Sequence, residues 1–287
     1  MRASILLALA AGTLASAATA GQRLGPLPPG AIAHSIAGPS DQMIGYLAFD
    51  PAPLAALLPP GVRFRTLGEK AADYPGLARY VARHPERRGW AWSFFEIIGI
   101  SAARYDRVAA HFRGGRGGMA VWYPELARTD GADRRPLGDQ NLAAGSWVSD
   151  PRLARHMRRR GFPATAARID FRIAGDRLTA SLSAPGLTIS GSCTLAGPFF
   201  VPEWAQEPVS YETMWTQAGE GDTYEIVTWA GHRARRCEHP AWRVAGVHPF
   251  ARAFNDPALG DPNMLPAAFA GGYMLESALY RRAPARR

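Results

Sequence analysis

Between residues 168 and 195 apolar and polar side chains alternate almost without interruption, and this regularity constrains the fold more than any other feature of the chain. Ile169, Phe171 and Ile173 alternate with Arg168, Asp170 and Arg172. Leu178, Ala180, Leu182 and Ala184 alternate with Thr179, Ser181 and Ser183, and Leu187, Ile189, Gly191, Cys193 and Leu195 with Thr188, Ser190, Ser192 and Thr194. Ala174-Gly175-Asp176 and Pro185-Gly186 punctuate the runs. A period of two sends successive side chains to opposite faces of a strand, so the segment predicts a three-stranded antiparallel meander with one buried face. A chain with so much of its middle in one-sided strands builds a curved sheet or barrel.

The flanking sequence fits that class. Met43–Phe49 reads as a strand, and Asp50 before Pro51 as the start of a helix with Leu54, Leu57 and Leu58 on its apolar side, ended by Pro59-Pro60-Gly61. The aromatic and β-branched run Trp90–Ile100 predicts a buried strand carrying Glu96 at its centre. Trp90, Trp92, Phe94 and Phe95 in it read as core, with alternate members free to line a cavity. A helix begins at Ser149 or Asp150 and stops at Gly161. A hairpin joins Glu212–Gln217 to Tyr224–Ala230 across Gly219-Glu220-Gly221-Asp222, and Gly114-Gly115-Arg116-Gly117-Gly118 reads as a flexible loop or lid. With no internal repeat and no linker, residues 41–287 form one domain, preceded by an extended leader over 21–40.

The first twenty residues have the form of a secretory signal: Arg2, an apolar core from Ile5, and small residues Ala18-Thr19-Ala20 before the expected cleavage. The mature chain then begins at Gly21 in the periplasm or outside the cell, without stable membrane insertion. Export places Cys193 and Cys237 in an oxidising compartment, and the sequence leaves open whether they pair or stay separate buried thiols. The apolar tail from Met264 to Tyr280 is broken by Pro266, Gly271-Gly272 and Glu276, so it does not read as a span. The end, Arg281 to Arg287, reads as solvated.

Of 287 residues 47% are hydrophobic, which excludes a disordered chain. The formal charge is +9, and the 33 basic residues are arginines except for Lys70. An exported chain without a recognisable module is no nucleic-acid partner. Lys70 lies in the polar stretch Gly68-Glu69-Lys70-Ala71-Ala72-Asp73 and is expected to be solvent-exposed, hence a poor amine nucleophile.

The order of elements resembles the acetoacetate decarboxylase family over roughly residues 42–250. Ala48–Gly61 is similar to the family's strand, short helix and proline exit. Phe95-Glu96-Ile97-Ile98 is like its strand with an acidic residue in a hydrophobic run, and Gly161-Phe162-Pro163 is like the junction after its capped helix. The resemblance implies a mainly β (α+β) fold, a cone-shaped antiparallel β-barrel with a few short helices. It also implies a buried lysine after the proline that forms a Schiff base with a β-keto acid. Here Ala164 and Thr165 follow Pro163, so the reactive lysine is absent. Counting without gaps, the family's arginine before the first helix falls at Ser40 or Asp41 and is lost too. Glu96 matches the first of the family's two acidic residues, and Tyr123-Pro124-Glu125 places Glu125 at the second.

Glu96 and Glu125 are therefore the candidate acid–base residues, with a structural ion pair to an arginine as the alternative for Glu96. His156, Arg158, Arg159 and Arg160, at the end of the predicted helix, and Phe162 are candidate ligand-binding residues; complementing the helix dipole is the plainer role of that cationic cluster. No metal is expected, because Arg233, Arg235 and Arg236 surround His232, Cys237 and His239 and would repel a cation. No cofactor is expected. The leading expectation is an exported protein that binds a small keto or carboxylate ligand and, if it is catalytic, is a lyase working by acid–base glutamates rather than a lysine. A non-catalytic binding protein and a hydrolase are the alternatives. The sequence does not fix whether it forms a homo-oligomer.

Overall fold

The computed structural model describes residues 32–72, 75–101, 104–106, 116–129, 139–159, 161–201, 209–216, 219–255 and 268–281. In chain order its strands are β1 (Ile32–Phe49), β2 (Val62–Phe64), β3 (Ala91–Ser101), β4 (Arg104–Asp106), β5 (Arg116–Pro124), β6 (Leu126–Arg128), β7 (Asp139–Leu142) and β8 (Gly145–Val148). They continue with β9 (Ala164–Ala166), β10 (Arg168–Ala174), β11 (Arg177–Ala184), β12 (Leu187–Phe200), β13 (Val209–Thr216), β14 (Gly219–Ala230), β15 (Ala234–Gly246) and β16 (Ala268–Arg281). The helices are α1 (Leu67–Lys70), α2 (Pro75–Arg83), α3 (Pro151–Arg159) and α4 (Pro249–Asn255). The expected helix after Asp50 is a 3-10 turn, Ala52–Leu57, and Asp50 Oδ1 accepts from the amide of Ala52.

The meander forms with Leu182 opposite Ile189 and Ile169 opposite Leu182, but its buried face holds for β11 and β12 only: in β10 Ile169 and Phe171 are half-buried and Ile173 is exposed. Leu178, Ala180, Leu182, Leu187 and Ile189 are buried in one core cluster with Met43, Phe95, Ile97 and Trp122. The main sheet runs β10-β11-β12-β15-β16-β1-β3-β5-β8-β9. Its two terminal strands, β9 and β10, are consecutive in the chain with only Ala167 between them, so the sheet must curl through nearly a full turn. Ile169 and Phe171 of β10 then lie across β5 and β3, where a Cβ on Gly118 would come 2.6 Å from Ile169 and one on Gly99 2.8 Å from Phe171. Glycine at both places permits this close crossing.

A second circuit bears on function. Pairings lead from β1 to β3 and β5, across an isolated bridge from Glu125 to Asn141 of β7, then through β13, β14 and β16 back to β1. Among the described residues one bridge, rather than a ladder, joins this circuit between β5 and β7. The β7–β13 and β8–β9 pairings are parallel, so the sheet is not wholly antiparallel as expected.

Several boundaries differ from expectation. β1 starts at Ile32, so the second half of the expected leader is sheet; Pro39 is accommodated beside a register shift between Ser40 and Gln42. Gly117 and Gly118 are paired residues of β5 rather than loop, and 107–115 lie outside the described residues. The hairpin turns before Gly219, which already faces Thr216. The apolar tail contributes β16, and no helix among the described residues is long and apolar enough to cross a membrane. Cys193 and Cys237 are bonded to each other, linking β12 to β15. The expected signal segment and the Arg282–Arg287 tail lie outside the described residues.

Candidate functional site

Cross-strand register sets Glu96 and Ala164 on one sheet face. Ile44 of β1 stands opposite Glu96 of β3, Glu96 opposite Val121 of β5, Val121 opposite Ser146 of β8, and Ser146 beside Ala164 of β9. Glu96 and Ala164, the position after Pro163, therefore lie in one row. The face packs as a core cluster of Ile98, Val121, Tyr123, Ala164 and Phe162 with Leu153 and Met157 of α3 and Met214 of β13. Met214 thereby brings β13 against this face.

Glu96 is half-buried, and Gln42 of β1 donates its Nε2–H to Glu96 Oε2 at 2.8 Å. Gln42 brings a neutral amide against this carboxylate. A neutral donor stabilises a carboxylate without cancelling its charge. Sequence reading missed Gln42; its placement needed the β1–β3 register, which no local pattern supplies.

Glu125 is on the same face but away from Glu96. Its amide donates to the carbonyl of Trp92 and its carbonyl accepts from the amide of Arg65. Four residues separate Glu125 from Val121, about 13 Å along the strand, and the ring pair of Phe94 and Tyr123, 5.5 Å apart, occupies the row between. The Glu125 carboxylate lies 2.5 Å from Arg65 Nη1 and 2.5 Å from Lys70 Nζ. The Lys70 and Glu125 side chains are each 6% exposed and that of Arg65 12%.

The expectation of an exposed Lys70 is thus overturned. Thr66 caps α1 by accepting from the amide of Glu69, while Glu69 Oε2 accepts from the amide of Thr66, a reciprocal capping box. The cap fixes the turn, and Lys70 shares a helix face with the fully buried Leu67 three residues before it. Lys70 follows that side chain inward and is met by Glu125. The Thr66–Glu69 spacing was the sequence signal that could have placed this helix. Arg63 also grips Glu69, which holds that carboxyl down at about 2.

The remaining candidates disperse. Asp150 caps α3 by accepting from the amide of Arg152 at 2.7 Å, and Gly161, at φ +86°, ends it in the left-handed conformation. Arg158 donates to the carbonyl of Ala164 at 2.7 Å, so it braces the junction. Arg159 is exposed, His156 half-buried, Phe162 buried in the core, and Arg160 lies outside the described residues. His232 is buried, and desolvation pushes it down to about 4. Its neighbour in the rejected metal trio, Cys237, is consumed in the disulfide.

No family model matches the sequence, and no curated protein matches it at the sequence level. Solved structures do match by fold. Acetoacetate decarboxylase from Legionella pneumophila subsp. pneumophila str. Philadelphia 1 is similar with a TM-score of 0.53 and 11% identity over 93% of each chain. An acetoacetate decarboxylase-like enzyme from Sphingomonas wittichii RW1 is similar at TM-score 0.49 and 15% identity, over 93% of this chain and 99% of that one. The enduracididine biosynthesis enzyme MppR complexed with pyruvate is similar at TM-score 0.45 and 13% identity over 92% of each chain. The chain has the acetoacetate decarboxylase fold, and the first of these likenesses carries that statement.

Proposed function

We propose that the chain is an exported protein that binds a small keto or carboxylate compound within the ring of strands, against Glu96, and acts on it as a lyase without an amine. The observation that supports this most is the row Ile44–Glu96–Val121–Ser146–Ala164, which holds a carboxylate but no lysine. When a β-keto acid loses carbon dioxide, the electron pair of the breaking bond passes to the substrate's own carbonyl, giving an enolate. A proton delivered to carbon completes the ketone, and Glu96 is the group assigned to carry it. Gln42 keeps that carboxyl oriented. Glu125 has a holding role, since two cations already engage it.

A binding protein without chemistry is the second reading, favoured by the buried methyl of Ala164 where the resemblance implies a nucleophile. Glu96→Gln separates the two. Acetoacetate and longer β-keto acids would be assayed for carbon dioxide release alongside ligand-induced change in tryptophan fluorescence. Lost release with retained binding supports the lyase; binding without release in both proteins leaves the binder; neither signal in the folded parent protein overturns both readings.

A further inference from the structure

A cavity of about 1110 Å3 lies away from Glu96, between the polar face of the meander and Asp41 midway along β1, Ser101 at the end of β3 and Gly117 near the start of β5. None of Gln42, Glu96, Ala164 or Glu125 lines it. It is larger than most pockets for single small molecules, which run from about 300 to 1,000 Å3. Three guanidinium groups border it, those of Arg172, Arg177 and Arg243. Among the described residues none of the three takes part in an ion pair. The acids on its wall are engaged: Asp170 by Arg168 at 2.9 Å, and Asp41 by a partner of its own. The wall therefore carries three guanidiniums against two carboxylates, one of which, Asp170, is paired with Arg168.

Between the arginines the sheet register sets out a field of hydroxyls. Asp170, Ser181, Ser190 and Arg243 form one row across β10, β11, β12 and β15, and Arg172, Thr179, Ser192 and Ala241 the next. The hydroxyls of these four serines and threonines bond no other side chain or backbone group among the described residues. Each offers both a donor and an acceptor. Arg172 and Arg243 stand three strand spacings apart across the sheet and one row apart along it, about 16 Å in all.

We propose that this cavity is a second binding site, for an acidic saccharide of two or three sugar-acid units. Its terminal carboxylates pair with Arg172 and Arg243, and its ring hydroxyls bond Thr179, Ser181, Ser190 and Ser192. Guanidinium is suited to the planar, two-pronged carboxylate, and hydroxyls that lack a protein partner match a polyhydroxylated body. Neither group alone selects this class: bare arginines take any anion, and bare hydroxyls any polyol.

The test is calorimetric titration of the full mature chain with trigalacturonate, with maltotriose as the neutral saccharide and tricarballylate as the acid lacking hydroxyls. Trigalacturonate is expected to bind with a Kd below about 1 mM and at least about tenfold more tightly than either control. The exposed substitutions Arg172→Ala and Arg243→Ala are each expected to weaken it by about tenfold, and the pair Ser190→Ala with Ser192→Ala to weaken it further. Absence of trigalacturonate binding overturns the proposal. So does equal binding of either control, or unchanged affinity in the Arg172→Ala, Arg243→Ala double variant with its circular dichroism spectrum preserved. Glu96→Gln is expected to leave this titration unchanged, which keeps its outcome separate from that of the Glu96 site.

Discussion

Lys70 Nζ lies 2.5 Å from one oxygen of Glu125, and the other oxygen of that carboxylate is held by Arg65. One carboxylate thus engages two largely buried cations, at the residue whose backbone bridges to Asn141 of β7. The two ion pairs therefore sit where an isolated bridge, and no ladder among the described residues, joins the strands.

Removing the anion is the severe change. Glu125→Gln leaves two buried cations facing each other and is expected to cost about 3–5 kcal/mol. Lys70→Met leaves the Arg65–Glu125 pair intact and should cost clearly less. Urea unfolding of both variants checks the order, and a Lys70→Met protein less stable than Glu125→Gln contradicts it.

Acetoacetate followed by borohydride should leave the mass of Lys70-containing peptides unchanged. At 6% exposure, with its nitrogen against a carboxylate, the amine offers a ketone no approach. A reduced adduct on Lys70 would restore Schiff-base chemistry at a new position in the fold.

The crossing of β10 over β5 has no room for a methyl group. Gly118→Ala would set a Cβ 2.6 Å from Ile169 Cγ2 and is expected to lower stability by about 1–3 kcal/mol. Adding Ile169→Ala to that variant removes the opposing atom, so part of the loss in melting temperature should return. Additive losses would mean that the two positions do not press on each other.

His232 sets an acid limb. Its folded value is about 4 against 6.5 for an ordinary histidine, because burial disfavours the charged ring. Between those values the unfolded chain takes up a proton that the folded chain refuses, so this group makes stability fall as pH drops from 6.5 towards 4. His232→Phe should flatten that part of a stability–pH curve, with little change above pH 7 from protonation. An unaltered slope would exclude His232 as its source.

Reduction of the Cys193–Cys237 bond frees a loop with a sequence separation of 44. The chain-entropy cost of that loop predicts a loss of about 4 kcal/mol. Matched urea titrations with and without reductant measure it.

What the sequence disclosed tracks how local each determinant is. The meander was legible because two-residue alternation and glycine turns act within a few residues, and α3 because Asp150 and Gly161 mark its ends. Gln42 beside Glu96 was not, since their pairing is a register between strands 54 positions apart. Lys70 was misjudged because its neighbours are polar; burial came from the capping box that turns it after Leu67 and from Glu125, which arrives from another part of the chain. Both glutamates could be named in advance, whereas the row of Phe94 and Tyr123 that separates them emerged only from the paired strands.

β1 lies against β16 in the centre of the sheet, with Gly38 opposite Leu275 and Met43 opposite Phe269. The first strand described must therefore wait for the last. Until the segment after residue 267 has been synthesised, β1 has one long edge without its partner, and β14 lacks the neighbour that ties it to β1. Completion of the central sheet thus depends on contacts between segments far apart in sequence, which form slowly.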